Sequence, residues 1–84
     1  MKLFVPAIFW DDHCDRFPCD DESDMAAEVS RSGNRALIEG STKQIECLRS
    51  DAEYYCDIHG PDKTPPSIKR SAAATLKAIA KCLP

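Results

Sequence analysis

The chain has 84 residues, of which 43% are hydrophobic and 30% are charged, and its formal net charge is −3. A chain of this length (residues 1–84) forms a single small domain, which buries about 60 to 65% of the surface exposed in its unfolded state. The length excludes a second core and leaves little room to enclose a small-molecule pocket. The composition excludes wholesale disorder.

The first segment, "KLFVPAIFW" at residues 2–10, predicts a β-strand, because aromatic and branched side chains occupy both sets of alternate positions. Pro6 has no backbone N–H group, so we expect this strand at an edge of the sheet. The segment "CDRFPCDDESD" at residues 14–24 predicts a loop, since it contains a proline, many aspartates and no hydrophobic periodicity.

A β-hairpin is predicted at residues 25–41, because apolar residues fall on alternate positions on both sides of "SGN". Ser41 and Gln44 then have the spacing of a capping box, in which each residue satisfies a backbone donor at the start of a helix. A helix is therefore predicted to begin near Thr42.

Two helices are predicted in the second half of the chain. In the first, apolar residues recur at steps of three and four, and the stripe consists of Ile45, Leu48, Ala52 and Tyr55. Gly60 and Pro61 predict its end. Ser67 is expected to cap the last helix, whose inward stripe is Ile68, Ala72, Leu76, Ile79 and Leu83.

The predicted order is thus three strands followed by two helices. The corresponding fold class is α+β, with a small antiparallel three-stranded sheet packed on two C-terminal helices (βββαα).

Charge is distributed unevenly along the chain. Residues 11–24 carry seven acidic residues against one arginine, whereas residues 63–84 carry five basic residues and no acid. We expect this asymmetry to govern encounters with partners more than the fold.

The five cysteines form an odd set, and the apolar start of the chain lacks the features of an export signal. Most thiols are therefore expected to be reduced, with Cys47, Cys56 and Cys82 acting as small hydrophobic residues of the helices. No segment has the length of a membrane span, so we expect a cytoplasmic protein without membrane contact.

A zinc site is the alternative interpretation of the cysteines and histidines, because thiolate and imidazole are the ligands that zinc prefers. Its ligands would come from His13, Cys14, Cys19, Cys56 and His59. The C-x4-C spacing departs from the common short knuckle, so the preferred interpretation includes no metal and no other cofactor.

The sequence contains no glycine-rich phosphate loop, no G-x-S-x-G motif and no H-E-x-x-H motif, so we expect no enzymatic activity. His13 and Arg16 have a structural interpretation instead. The imidazole would close the end of the first strand, and the guanidinium would pair with a nearby carboxylate. The candidate carboxylates are Asp12, Asp15, Asp51 and Glu53.

The sequence "FWDDHCDR", followed by a hairpin and by "LRSDAEYYCD", resembles small uncharacterised open reading frames of bacterial and phage genomes. The resemblance covers residues 9–57 and carries no catalytic residue. Phage accessory proteins of this size include acidic single domains that block a host protein, among them inhibitors of CRISPR complexes. The resemblance carries no assigned activity. An inhibitor of this anti-CRISPR type, acting in the host cytoplasm, is one role for which the acidic surface of the chain would be suited.

The expected function is therefore that of a non-enzymatic binding or inhibitor module. The acidic stretch at residues 11–24 would mimic nucleic acid and block a basic or nucleic-acid-binding surface of a host protein. The candidate binding carboxylates are Asp11, Asp12, Asp15, Asp20, Asp21, Glu22 and Asp24, and the candidate apolar anchors are Trp10, Phe17 and Tyr54. Direct binding of nucleic acid is not expected, because the whole domain is acidic. A homodimer is left open.

Overall fold

The computed structural model of the chain describes residues 1–16, 25–56 and 65–83. The elements, in chain order, are β1 (Lys2–Pro6), α1 (Ala7–Arg16), β2 (Ala27–Ser32), β3 (Arg35–Glu39), α2 (Thr42–Cys56) and α3 (Pro66–Ala80). The predicted α+β class is confirmed, with its antiparallel three-stranded sheet and two C-terminal helices. A further helix, α1, lies between the first two strands.

Helix α1 occupies a region where a strand and a loop were predicted. The strand ends at Pro6, and the helix begins at Ala7. Because residues 2–10 are almost continuously apolar, an alternating pattern and a helical pattern fit them equally well. The helical solution buries Ala7, Trp10 and His13, which follow one another at steps of three and so lie along one face.

The sheet has the strand order β1-β3-β2, and both pairs are antiparallel. The predicted hairpin is confirmed as β2 and β3. Gly33 in its turn has a φ of 61°, a left-handed conformation that glycine adopts without steric cost. The predicted edge position of the strand containing Pro6 is also confirmed, because β1 pairs with β3 alone among the described strands.

One face of the sheet and the three helices enclose the core. Leu3 and Val5 of β1 and Ala36 and Ile38 of β3 point to this face, and all four are buried. The helices cover them with a further set of buried residues: Phe9, Trp10, Ile45, Leu48, Ala52, Ala72 and Ile79. On the other face Phe4 remains 49% exposed.

The ends of the helices agree only partly with the sequence signals. The capping box of α2 is confirmed, since the Ser41 backbone N–H donates to Oε1 of Gln44 (2.8 Å) and the Gln44 N–H donates to Oγ of Ser41 (3.2 Å). The predicted cap at Ser67 is wrong, because α3 begins at Pro66 without a side-chain cap. Proline suits the first helical position, because a backbone N–H at that position would have no partner within the helix.

The predicted inward stripes of α2 and α3 are buried or packed against the core at every position. The predicted end of α2 at Gly60 and Pro61 lies outside the described residues. None of the described helices combines the length and the apolar character needed to cross a membrane.

Candidate functional site

Helix α1 has two chemically different faces. Phe9, Trp10 and His13 point into the core, whereas Asp11, Cys14 and Asp15 are exposed. The segment "DDHCDR" therefore forms a scaffold with one side fixed in the protein and an acidic side in solvent.

His13 is buried, with only 1% of its surface exposed. Its Nδ1 atom lies 2.7 Å from Oδ2 of Asp51 in α2, and the Phe9 and Trp10 rings lie beside the imidazole. Because an ionised carboxylate can only accept hydrogen bonds, Nδ1 of His13 donates this bond.

Arg16 binds the same carboxylate from one turn further along α1. Its Nη1 donates to Oδ1 of Asp51 and its Nη2 donates to Oδ2, both at 2.8 Å, and its Nε donates to Oδ2 of Asp12 at 2.7 Å. The guanidinium carbon lies 4.4 Å from the centre of the Tyr55 ring, within the range of a cation–π contact. The predicted pairing of Arg16 with Asp12 and Asp51 is confirmed.

The charge state of Asp51 follows from these contacts. Burial acts to raise the pKa of this carboxyl, but the hydrogen bonds from His13 and Arg16 and the positive charge of Arg16 outweigh it, so the pKa lies below its ordinary value. Burial acts to lower the pKa of Arg16, but its hydrogen bonds to Asp51 and Asp12 outweigh this effect and raise the pKa. Both groups are therefore charged at neutral pH.

This His13–Arg16–Asp51 network joins the end of α1 to α2. A histidine and an aspartate at hydrogen-bond distance are also parts of catalytic triads, but a triad needs a nucleophile within reach of the imidazole and access for substrate. His13 is sealed in the core, and no nucleophilic side chain of the described segments bonds to it. The arrangement fits a structural connection between the two helices.

A second guanidinium joins α1 to the hairpin. Arg31 of β2 donates to both carboxylate oxygens of Asp11, at 3.0 and 2.6 Å, and to Oε1 of Glu28 at 2.7 Å. The hydrogen bonds from Arg31 hold the pKa of Asp11 below its ordinary value. Asp15 is exposed and forms no ion pair within the described parts of the chain.

The thiol of Cys14 lies within this acidic environment. Its pKa is raised, first by partial burial and then by the negative charges of Asp11, Glu28 and Asp15. Glu28 lies far from Cys14 in the sequence, so its effect arises from the folded arrangement of α1 and β2.

A surface depression of about 340 Å³ lies beside the network, between the end of α1 and α2. Arg16, Asp51 and Tyr54 contribute to its wall. Its charged groups are already bonded to each other, which leaves little capacity to bind a polar ligand.

The predicted apolar anchors behave differently from one another. Tyr54 is 56% exposed, as expected, and its ring meets that of Tyr55 edge to face. Trp10 is only 3% exposed, so it is a core residue and presents almost no surface to a partner. The remaining predicted contact residues lie outside the described part of the chain: Phe17, Asp20, Asp21, Glu22 and Asp24.

Two predictions about the cysteines are wrong. Cys47 is disulfide-bonded, so a reduced thiol was the wrong expectation there. Cys56 is exposed rather than part of the core, and Cys82 is half-buried against it. Cys14, Cys56 and Cys82 are free thiols.

The alternative zinc site is not assembled by the described residues. They contain no group of three or more side chains of the ligating types that could hold a metal ion. His13 is bonded to Asp51, while Cys14 and Cys56 lie on different helices. Cys19 and His59 lie outside the described residues.

Sequence reasoning did not foresee the bond between His13 and Asp51. The signal was present, because Phe9, His13 and Arg16 follow at steps of four and three, the spacing of one helical face. That spacing becomes informative only when the segment is read as a helix.

Comparisons with protein-family models, with curated proteins and with solved structures find no match to this chain. The site is therefore interpreted from its own geometry and charge.

Proposed function

We propose that the chain is a non-enzymatic binding module that docks its acidic side against a basic, nucleic-acid-binding surface of another protein. The acidic side consists of α1 and the adjoining part of β2. Its charged residues are Asp11, Asp12, Asp15 and Glu28, with Arg16 and Arg31. The observation that carries the proposal is this ratio of four carboxylates to two guanidiniums, a formal excess of two negative charges.

The sequence extends this excess beyond the described end of α1. Residues 17–24 contain four acidic residues and no basic residue. They follow directly after Arg16, the last residue of α1, so they continue the negative charge of the acidic side along the chain.

The rigidity of α1 supports a role in binding. Its inner face is held by the aromatic core and by the bonds of His13 and Arg16 to Asp51. Charges on a fixed scaffold lose little conformational freedom when a partner binds. Complementary charge also steers the encounter and raises the association rate.

The expected consequence is competition with nucleic acid. A basic groove that holds nucleic acid cannot hold a second polyanion at the same place, so the protein would exclude the nucleic acid. A phage inhibitor of the anti-CRISPR type is one form that this function could take. The sealed position of His13 supports the non-enzymatic part of the proposal.

A displacement assay tests this function. A short fluorescent DNA duplex is bound to a lysine- and arginine-rich peptide, and the protein is titrated into the complex. We expect release of the duplex, and weaker release by the variant Asp15→Asn combined with Asp20→Asn and Asp21→Asn. The control variant, Glu39→Gln with Glu46→Gln and Glu53→Gln, removes three charges elsewhere and should release the duplex as wild type does. Equal release by both variants would refute the assignment to the acidic side.

A further inference from the structure

A groove of about 410 Å³ lies at the opposite edge of the sheet, between β1 and α3. Phe4 and Pro6 contribute to it from β1, and Ala74 and Ala78 contribute from α3. The two alanines have short side chains, which leave space between the helix and the strand. We name this feature the β1–α3 groove.

The backbone of β1 has unused hydrogen-bonding groups at this groove. The Ala7 N–H donates to the Asn34 carbonyl (2.8 Å). In an antiparallel pair, every second residue of a strand bonds to the neighbouring strand, so Val5 and Leu3 also direct their backbone groups toward β3. The N–H and C=O groups of Phe4 consequently point away from β3. Within the described residues these groups have no hydrogen-bond partner. A polypeptide strand is the ligand that satisfies such groups in series.

The charged residues of the groove are all basic. They are Arg35 from β3, Lys77 from α3 and Lys81, the residue directly after α3. None of the three forms an ion pair with any residue that the structure describes. By contrast, Lys2, Arg16, Arg31 and Arg49 each pair with a carboxylate. The groove therefore carries positive charge that is not neutralised within the described molecule.

The other edge of the sheet is less suited to an added strand. Strand β2 has an irregularity between Glu28 and Ser30, where Val29 has no counterpart in β3. Its charged residues Glu28 and Arg31 are engaged with α1 or with each other. Bulges and charges of this kind protect edge strands against further pairing.

We propose that the β1–α3 groove binds an extended acidic segment of a partner polypeptide, which adds to the sheet as a fourth strand beside β1. Alternate side chains of an added strand point to opposite faces. Those on the helix side would meet Lys77 and Lys81, and those on the open face would lie beside Phe4. The unused backbone groups favour a polypeptide over nucleic acid. This surface is separate from the acidic side and has the opposite charge.

A binding assay with matched charge variants tests the location. The probe is a fluorescent peptide of alternating glutamate and valine, followed by anisotropy. We expect the variant Lys77→Gln with Lys81→Gln to bind about fivefold more weakly, from the loss of two partly exposed ion pairs. The control, Lys69→Gln with Arg70→Gln, makes the same charge change on the same helix. Lys69 lies about 12 Å from Lys77 along the axis, beyond the screening length of about 8 Å in physiological salt, so the control should bind as wild type does.

Hydrogen exchange distinguishes strand addition from general attraction between charges. Saturating peptide should slow exchange of the Phe4 amide, because that N–H gains a main-chain acceptor. Three results would each overturn the proposal: unchanged exchange at Phe4, equal weakening in both lysine variants, or tighter binding of single-stranded DNA than of the peptide. The variant Asp15→Asn should leave peptide binding unchanged, so the result does not depend on the function proposed for the acidic side.

Discussion

Nδ1 of His13 and Oδ2 of Asp51 lie 2.7 Å apart, although the two residues are 38 positions apart in the sequence. Arg16 binds the same carboxylate through two further hydrogen bonds. These contacts connect α1 to α2 through the buried Asp51, which is only 6% exposed. Asp51 therefore helps to fix the position of the acidic side, together with the core contacts of Phe9 and Trp10.

Replacement of Asp51 by alanine should destabilise the fold by about 3 kcal/mol, because it leaves His13 buried and Arg16 partly buried without their acceptor. Urea denaturation measures this loss. The control is Asp12→Ala, which removes a partly exposed partner of Arg16 and should cost at most about 1 kcal/mol. Equal losses in the two variants would show that Asp51 does not hold the helices together.

The contribution of Asp51 should depend on pH in acid. The pKa of Asp51 is lower in the folded state than in the unfolded state, where it is about 3.9. Its contribution is therefore complete above about pH 4 and disappears as the pH falls through the folded-state value. The difference in unfolding free energy between wild type and Asp51→Asn should decrease as the pH falls below about 4. A difference that stays constant down to acid unfolding would contradict the assigned charge.

Lysine should not replace the guanidinium of Arg16 without a loss of stability. Arg16→Lys keeps the positive charge but loses the paired hydrogen bonds to Asp51, and we expect a loss of about 1 kcal/mol in unfolding free energy. Arg31→Lys is the matched control, since Arg31 makes a similar fork to Asp11 at the surface, and it should change stability less. Thermal unfolding of both variants checks this order.

The reactivity of the Cys14 thiol should depend on the negative charge of the acidic side. Because Glu28 contributes to its raised pKa, Glu28→Gln should lower that pKa, increase the thiolate fraction and accelerate alkylation by iodoacetamide. Mass spectrometry of the labelled peptides gives the rate for each cysteine. Cys56 is the internal control and should keep its rate, because its pKa is raised only by partial loss of solvent contact and not by neighbouring charges. An increase at Cys14 that persists in denaturant would show that the fold is not its cause.

The parts of the fold with distinct local signals could be predicted from the sequence. The capping box at Ser41 and Gln44 locates the start of α2, and the glycine of "SGN" locates the hairpin turn. Both signals depend on backbone chemistry within a few residues, so they do not require knowledge of the rest of the chain.

Helix α1 and the contact between His13 and Asp51 could not be obtained in this way. The apolar run before Asp11 fits two periodicities, and packing against the sheet and α3 decides between them. The acidic residues after it suggested a uniform charged loop, yet Asp11 and Asp12 each have an arginine partner. Arg31, one of those partners, comes from a different element. The function of a carboxylate depends on such distant partners.

The association rate is the most direct test of the proposed acidic binding surface. Stopped-flow fluorescence would follow binding of the lysine- and arginine-rich peptide to wild type and to a variant with Asp15, Asp20, Asp21 and Asp24 replaced by lysine. The account predicts a fast wild-type rate that falls as salt rises, because exposed charges are screened beyond about 8 to 10 Å, and a much slower variant with native stability. A correctly folded variant that associates as fast as wild type, with neither rate dependent on salt, would contradict it.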